Sequence, residues 1–156
     1  MALKIIAGIF AICSAFFIAG VSGLSFYIWP TFLNDRRLTV TPETLQRLQG
    51  LEQERKFGPD QTTFYPGAMN EEQRATAQAA VDSAIRSLIA ELPRNPQRST
   101  VLRTMKTTLA NVDLADSEER DQFLLYLGRS MEICGVTTSD ELFNVWRYGF
   151  PYGWVI

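Results

Sequence analysis

Histidine is absent from this 156-residue chain, and that absence removes much of the side-chain chemistry open to a small protein. Without imidazole there is no Ser-His-Asp or Cys-His nucleophile, no His-ligated zinc or non-haem iron, and no ready proton shuttle near neutral pH. The two cysteines, Cys13 in an apolar run and Cys134 near the C-terminus, give no readable disulfide framework and decide little about compartment. Oxygen ligands are more plentiful, since Asp113, Asp116, Glu118, Glu119 and Asp121 crowd one connection. Such a cluster suits calcium, but the spacing lacks the central glycine and terminal glutamate of an EF-hand loop. Acidic residues at a helix start are better explained by their attraction to the macrodipole. No Gly-x-Ser-x-Gly elbow, phosphate loop or Ser-x-x-Lys occurs. The expectation is therefore a non-enzyme with no catalytic residues, no cofactor and no metal.

Recognition chemistry is easier to find. Trp146, Tyr148, Phe150, Tyr152 and Trp154 fall at every second position, and in an extended stretch they would face one way. Aromatic rings dominate interface energetics, so these five are the candidate partner-binding residues, whether the partner is a protein or the headgroup layer. The competing reading has Trp146 through Phe150 closing back on a helical core, with 151–156 as the exposed part.

What could carry such a surface is set by the first thirty residues. From Ile5 to Trp29 there are 25 residues without a charge. As a helix they would reach roughly 37 Å, against a hydrocarbon core of about 30 Å. A cleaved signal has a shorter apolar region, so an uncleaved single-pass anchor is expected, although Val21-Ser22-Gly23 offers a small-residue cleavage site. Phe26, Tyr27 and Trp29 suit the interfacial belt, and Pro30 suits the exit from the membrane. Lys4 is nearly balanced by Arg36 and Arg37; the short leader before Lys4 resembles an export signal and favours an extracytoplasmic domain. Ala7, Ala11, Ala15, Ala19 and Gly23 recur every four residues, with Gly8 and Gly20 alongside. Small residues let helix backbones approach closely in lipid, which makes this stripe the candidate membrane-helix association face, for a homodimer or a partner helix.

The remainder reads as helices. Thr41 as cap with Pro42 next opens one carrying Leu45, Leu48 and Leu51 and ending near Phe57-Gly58-Pro59. Gly58 to Met69 reads as an ordered loop, with Phe64 and Tyr65 folded onto the core. Asn70 caps the strongest helix, with Gln73 in the capping-box position and Ala77, Val81, Ala84, Ile85, Leu88 and Leu92 on one face until Pro93. Asn95 before Pro96 repeats the cap-then-proline signal ahead of Val101, Leu102, Met105, Leu109 and Val112. Asp116 with Glu119 predicts a capping box for a helix through Phe123, Leu124, Tyr126, Leu127 and Met131, closed by Gly135. Thr138 with Glu141 predicts a last short helix carrying Leu142, Val145 and Trp146, ended by Gly149.

Three segments, Tyr65-Pro66-Gly67, Asp116-Ser117-Glu118-Glu119-Arg120 and Trp146-Arg147-Tyr148-Gly149-Phe150, make the chain resemble a bacterial family known only as a domain of unknown function. The resemblance spans roughly residues 45 to 150. It implies a small helical fold and carries no activity.

The fold expectation is all-α: a single transmembrane helix in residues 1–33, a linker at 34–40, and a compact domain of about five helices over 41–156. All 17 acidic residues but only 14 of the 15 basic ones follow residue 33, leaving that part at −3. This argues against nucleic acid as a partner. The functional expectation is a membrane-tethered protein-binding module, such as an inhibitor or immunity-type protein of the bacterial envelope. The alternative is an accessory structural subunit of a membrane complex, assembled through the small-residue stripe.

Overall fold

The computed structural model describes residues 2–114 and 116–150, apart from the side chains of 2–5, 7, 18, 19, 22 and 23. Described secondary structure is helical throughout: α1 (Ala2–Ile28), α2 (Pro42–Gln53), α3 (Glu71–Glu91), α4 (Arg98–Ala110), α5 (Ser117–Ile133) and α6 (Leu142–Tyr148). Two isolated β-bridges, Arg37 with Gln97 and Asp60 with Tyr65, are the only extended pairings among the described residues. The chain divides into two compact units, Thr31–Asp140 and Met1–Pro30 with Glu141–Ile156.

Within Thr31–Asp140, α3 packs against α2, α4 and α5, and α2 packs against α5. The reason is the apolar stripe of α3: Ala77, Val81, Ala84, Ile85 and Leu88, spaced to line one face, are all buried, as is Leu92 just past the helix. Facing side chains include Leu48 and Leu51 of α2, Val101, Leu102, Met105 and Leu109 of α4, and Phe123 and Leu127 of α5, each 0–1% exposed. Burying a side chain of this size stabilises the fold by roughly 1.5–3 kcal/mol.

The helix ends show how local chemistry sets these lengths. Thr41 and Thr44 form a reciprocal capping box at α2, and the Asn70 side chain accepts from the Gln73 amide at 2.9 Å to start α3. Helix α2 stops at Gln53, earlier than the Gly58-Pro59 signal suggests, because Glu54 turns extended at ψ 138°. Helix α4 begins at Arg98 with Gln97 as N-cap and no side-chain cap of its own, so the Asn95-Pro96 cap signal is not used. Its open amide is taken from afar: Asp35 Oδ1 accepts from Ser99 N, and Oδ2 from Ser99 Oγ, both at 2.8 Å. Ser99's backbone and side-chain bonds, then Arg36's amide and the Arg98 charge, hold the Asp35 carboxyl below its ordinary value, against the desolvation that opposes them. Gly135 closes α5 at φ +77°, the left-handed position that favours glycine.

The other unit holds α1 packed with α6. Among the described residues, no helix is long and apolar enough to cross a membrane. The side chains outside that description include Ile5, Ala7, Ile18 and Ala19, which lie within the α1 sequence.

Candidate functional site

Loop 58–69 and the first turn of α5 meet at a polar corner. The loop is closed by the Asp60–Tyr65 bridge, with Asp60 N donating to Tyr65 O at 2.8 Å and Tyr65 N to Asp60 O at 2.9 Å. Inside it Asp60 Oδ1 accepts from the Thr62 hydroxyl at 2.6 Å and the Thr62 amide at 2.9 Å, bonds that lower the Asp60 carboxyl below its usual value. Further along, Gly67 sits at φ +96°, where an added Cβ would meet Pro59 Cδ and N at 3.2 Å. The result is a tight turn that separates two neighbouring aromatics. Tyr65 is buried, whereas Phe64 adopts φ +57° and is 91% exposed. The expectation that both fold onto the core therefore holds for Tyr65 alone; the left-handed tip sends Phe64 outward.

The acidic segment supplies the facing side. Asp116 is the N-cap of α5 but makes no side-chain cap bond, and the expected Asp116–Glu119 capping box is not formed. Glu119 turns inward instead and is only 4% exposed. Arg120, next to it, donates from Nε to Leu114 O at 2.6 Å. Two buried oxygens, Tyr65 Oη and Glu119 Oε1, have no hydrogen-bond partner among the described residues. Burial raises the Glu119 carboxyl above its ordinary value, and the Asp116 charge adds to this. Burial, then Glu119, Tyr126, Asp116 and Glu118, push Tyr65 up to about 12, so these carboxylates share one field at the loop. Gln122, also 4% exposed, accepts from the Thr63 hydroxyl at 3.5 Å. Chemically, the corner offers an acceptor oxygen, a phenol that either donates or accepts, and negative potential.

A second polar corner lies between α2 and α3. Lys56 is fully buried, and its ammonium donates to Asp82 Oδ1 at 2.7 Å, Glu52 O at 3.0 Å and Glu54 O at 3.1 Å. All three ammonium protons are used, and two of them satisfy carbonyls left open by the end of α2. Gln78 and Arg74 extend the network: Gln78 Oε1 accepts from Lys56 N, Arg74 Nη1 donates to Lys56 O, and Arg74 forks onto Glu71. Phe57, next in sequence, lies 5.2 Å from Tyr126 and 6.3 Å from Phe123 between ring centroids.

Arg98 makes a third polar centre. Its guanidinium, 5% exposed, reaches Leu33 O at 3.1 Å, Thr138 O at 3.0 Å and the Asp140 carboxylate at 2.7 Å. Arg36 joins it by donating to Gly135 O at 3.1 Å. A cavity of about 180 Å³ borders Asn34, Arg36, Arg98, Thr137, Thr138 and Asp140. A wider groove of about 450 Å³ runs between α3 and α4 past Ser87, Thr104, Thr108 and Asn111. Each of these four side chains donates back to its own helix, so the groove presents few free donors.

The residues singled out from the sequence fall elsewhere. In the association stripe, Ala11 and Ala15 are exposed on α1, and a Cβ added at Gly8 or Gly20 would meet nothing within 4 Å. The side chains of Ala7, Ala19 and Gly23 are outside the described residues. Trp146 and Tyr148 belong to α6, and two residues along a helix point about 200° apart, so they do not share a face. Leu142 and Val145 are the buried positions of that helix; Tyr148 is 58% exposed, and Phe150 packs its ring 5.7 Å from Trp29. Tyr152 and Trp154 lie outside the described residues. No group of three or more Cys, Asp or Glu among the described residues could hold a metal ion. Sequence reading missed Lys56 and Arg98, because the neighbouring helix-end signals say nothing about whether a charged side chain beside them is buried. It named Glu119 for a cap that the helix does not make.

A family model described as a domain of unknown function matches residues 39–151. No curated protein and no solved structure matches the chain.

Proposed function

The chain therefore belongs to that family, DUF4844, and from this premise we propose that it is a membrane-tethered helical module that binds another protein at the bacterial envelope, as an inhibitor or immunity-type protector. The observation that carries this reading is α1. Phe10, Phe16, Phe17 and Ile28 are each more than 70% exposed, and the helix sequence carries a single charge, Lys4. Side chains of this kind gain their transfer free energy only when something apolar covers them, and a bilayer does so on all sides at once. Tyr27 and Trp29 at the end of the run fit the headgroup level. On this reading the chain is single-pass and its family domain extracytoplasmic, held to lipid by residues 2–28. It works by binding and not by catalysis, in line with the histidine-free sequence.

The test joins two measurements on the full chain in native membranes. Resistance to alkaline extraction, with the helical domain digested by protease added from outside the inner membrane, is the outcome expected. Release by alkali or protection from that protease would remove the anchor or its orientation. Crosslinking followed by mass spectrometry should return one stoichiometric protein.

A second reading, an accessory subunit of a membrane complex, is favoured by the open space at Gly8 and Gly20 beside exposed Ala11 and Ala15. Ala11→Leu with Ala15→Leu would abolish copurification in that case, because close backbone approach needs small residues. Unchanged copurification would leave the stripe as ordinary lipid-facing sequence.

A further inference from the structure

We propose that the corner between loop 58–69 and the first turn of α5 is the docking surface for a basic segment of a protein partner. Phe64 enters an apolar recess of that partner, and one of the partner's Lys or Arg side chains reaches Glu119 beside Tyr65. This rests on the protein-binding reading above and names its surface and the partner's chemistry.

Three independent observations converge there. The first is strain in the presenting turn. A phenylalanine at φ +57° is strained and persists only where its surroundings enforce it. Here they do, through the two Asp60–Tyr65 backbone bonds, the Thr62 bonds to Asp60 and the burial of Tyr65. The turn fixes the backbone that presents the exposed ring, which lowers the entropy lost on binding. Burial of this aromatic would supply an anchor of the type that dominates interface energies.

The second is the pair of orphaned oxygens. Tyr65 and Glu119 are more than nine-tenths buried, yet Tyr65 Oη and Glu119 Oε1 are without partners among the described residues. An acidic first turn alone would be ordinary helix electrostatics, but there Glu119 would face the helix amides or solvent. The third is charge. Asp116 and Glu118 flank Glu119 and all three act on Tyr65, so carboxylates outnumber the one cation of that turn, Arg120, while Thr62 and Thr63 beside it are neutral and exposed. A cationic group is the guest such a field favours, and an anionic membrane surface is repelled by it. Arg98 and Lys56, the other buried polar centres, already hold their partners.

The experiment places a photoreactive benzoyl-phenylalanine at position 64 of the full-length chain in native membranes, and separately at position 148 on exposed Tyr148. A protein crosslink at 64, mapped to a partner peptide that contains Lys or Arg, is expected. It should weaken about tenfold in Glu119→Gln or Glu118→Lys. Circular dichroism of both variants checks that they fold; Glu118 is exposed and serves if Glu119→Gln does not. Crosslinks at 148 without any at 64 overturn this surface and leave the binding reading standing, whereas none at either position removes both. A crosslink at 64 that Glu118→Lys leaves unchanged, or one to lipid, also overturns it.

Discussion

Two buried polar corners adjoin the Phe57–Tyr126–Phe123 aromatic cluster along the chain, one around Lys56, the residue before Phe57, and the other around Glu119, one helical turn before Phe123. In the first, a completely buried ammonium uses every proton, on one carboxylate and two helix-end carbonyls. In the second, a buried carboxyl and a buried phenol leave oxygens open. Both corners take polar groups out of water, and both costs are real. The first is offset within the chain, by geometry that also ends α2. The second is not offset by any described residue, so its compensation must come from outside the chain or its cost is carried by the core. Saturation marks a structural role, and incompleteness marks a place prepared for something else.

The comparison can be pressed hardest at Lys56. Lys56→Ala should lower stability by about 3–5 kcal/mol, because it strands the Asp82 carboxylate, frees two carbonyls and opens a cavity. Chemical denaturation in neutral detergent micelles would measure this, and a loss below about 1 kcal/mol would show that solvent replaces the ammonium without penalty. Next comes the loop that shapes the other corner. Gly67→Ala, at φ +96° and against Pro59, should cost about 1–3 kcal/mol and expose Tyr65, read as increased tyrosine fluorescence quenching by iodide.

A pH series isolates the Glu119 corner by sign, with Asp35 at the start of α4 as the reference. Glu119 binds its proton more tightly when folded, so its contribution is complete below the ordinary carboxyl value of 4.5 and declines as pH rises through the raised value. Glu119→Gln should remove that decline. Asp35 has the opposite sign: its stabilisation is present above 3.8 and lost as pH falls through the lowered value, a limb that Glu119→Gln leaves in place. If the two proteins show the same alkaline decline, Glu119 is paired and the contrast between corners fails. The smallest effect is expected at the tip. Phe64→Gly relieves the positive φ and buries nothing less, so stability should be unchanged or higher by about 1 kcal/mol. A clear drop in melting temperature would place the Phe64 ring against the fold.

The parts legible in the sequence are those where one physical signal acts alone. The six apolar positions of α3 and its immediate extension are read from 3.6-residue periodicity, and all six are buried. Thr41-Pro42, Asn70 and Gly135 are read from local backbone chemistry and each bounds its helix as expected, although Gln73 does not return a bond to complete the box with Asn70. Reading fails where a distant group substitutes for a local one. Asp35 caps α4 in place of the Asn95-Pro96 signal, and Lys56 closes α2 before the Gly-Pro pair is reached. Neither is visible without the tertiary arrangement, since a lysine among Glu52, Glu54 and Arg55 looks like a solvated face. At the candidate corner, the segments Tyr65-Pro66-Gly67 and Asp116 to Arg120 both stood out in sequence, but nothing in their order says that they meet.

Arg98 has a mechanical consequence. The backbone enters the Thr31–Asp140 unit beside Leu33 and leaves it beside Thr138 and Asp140, and the same guanidinium holds both points. Tension arriving along the chain from either side is thus borne first by this short bridge, with Arg36 on Gly135 O beside it. The force closes a loop there and bypasses the helices behind it. The unit is wired like a clasped bracelet: pulling on both free ends loads the clasp in shear, while the beads stay slack until it opens.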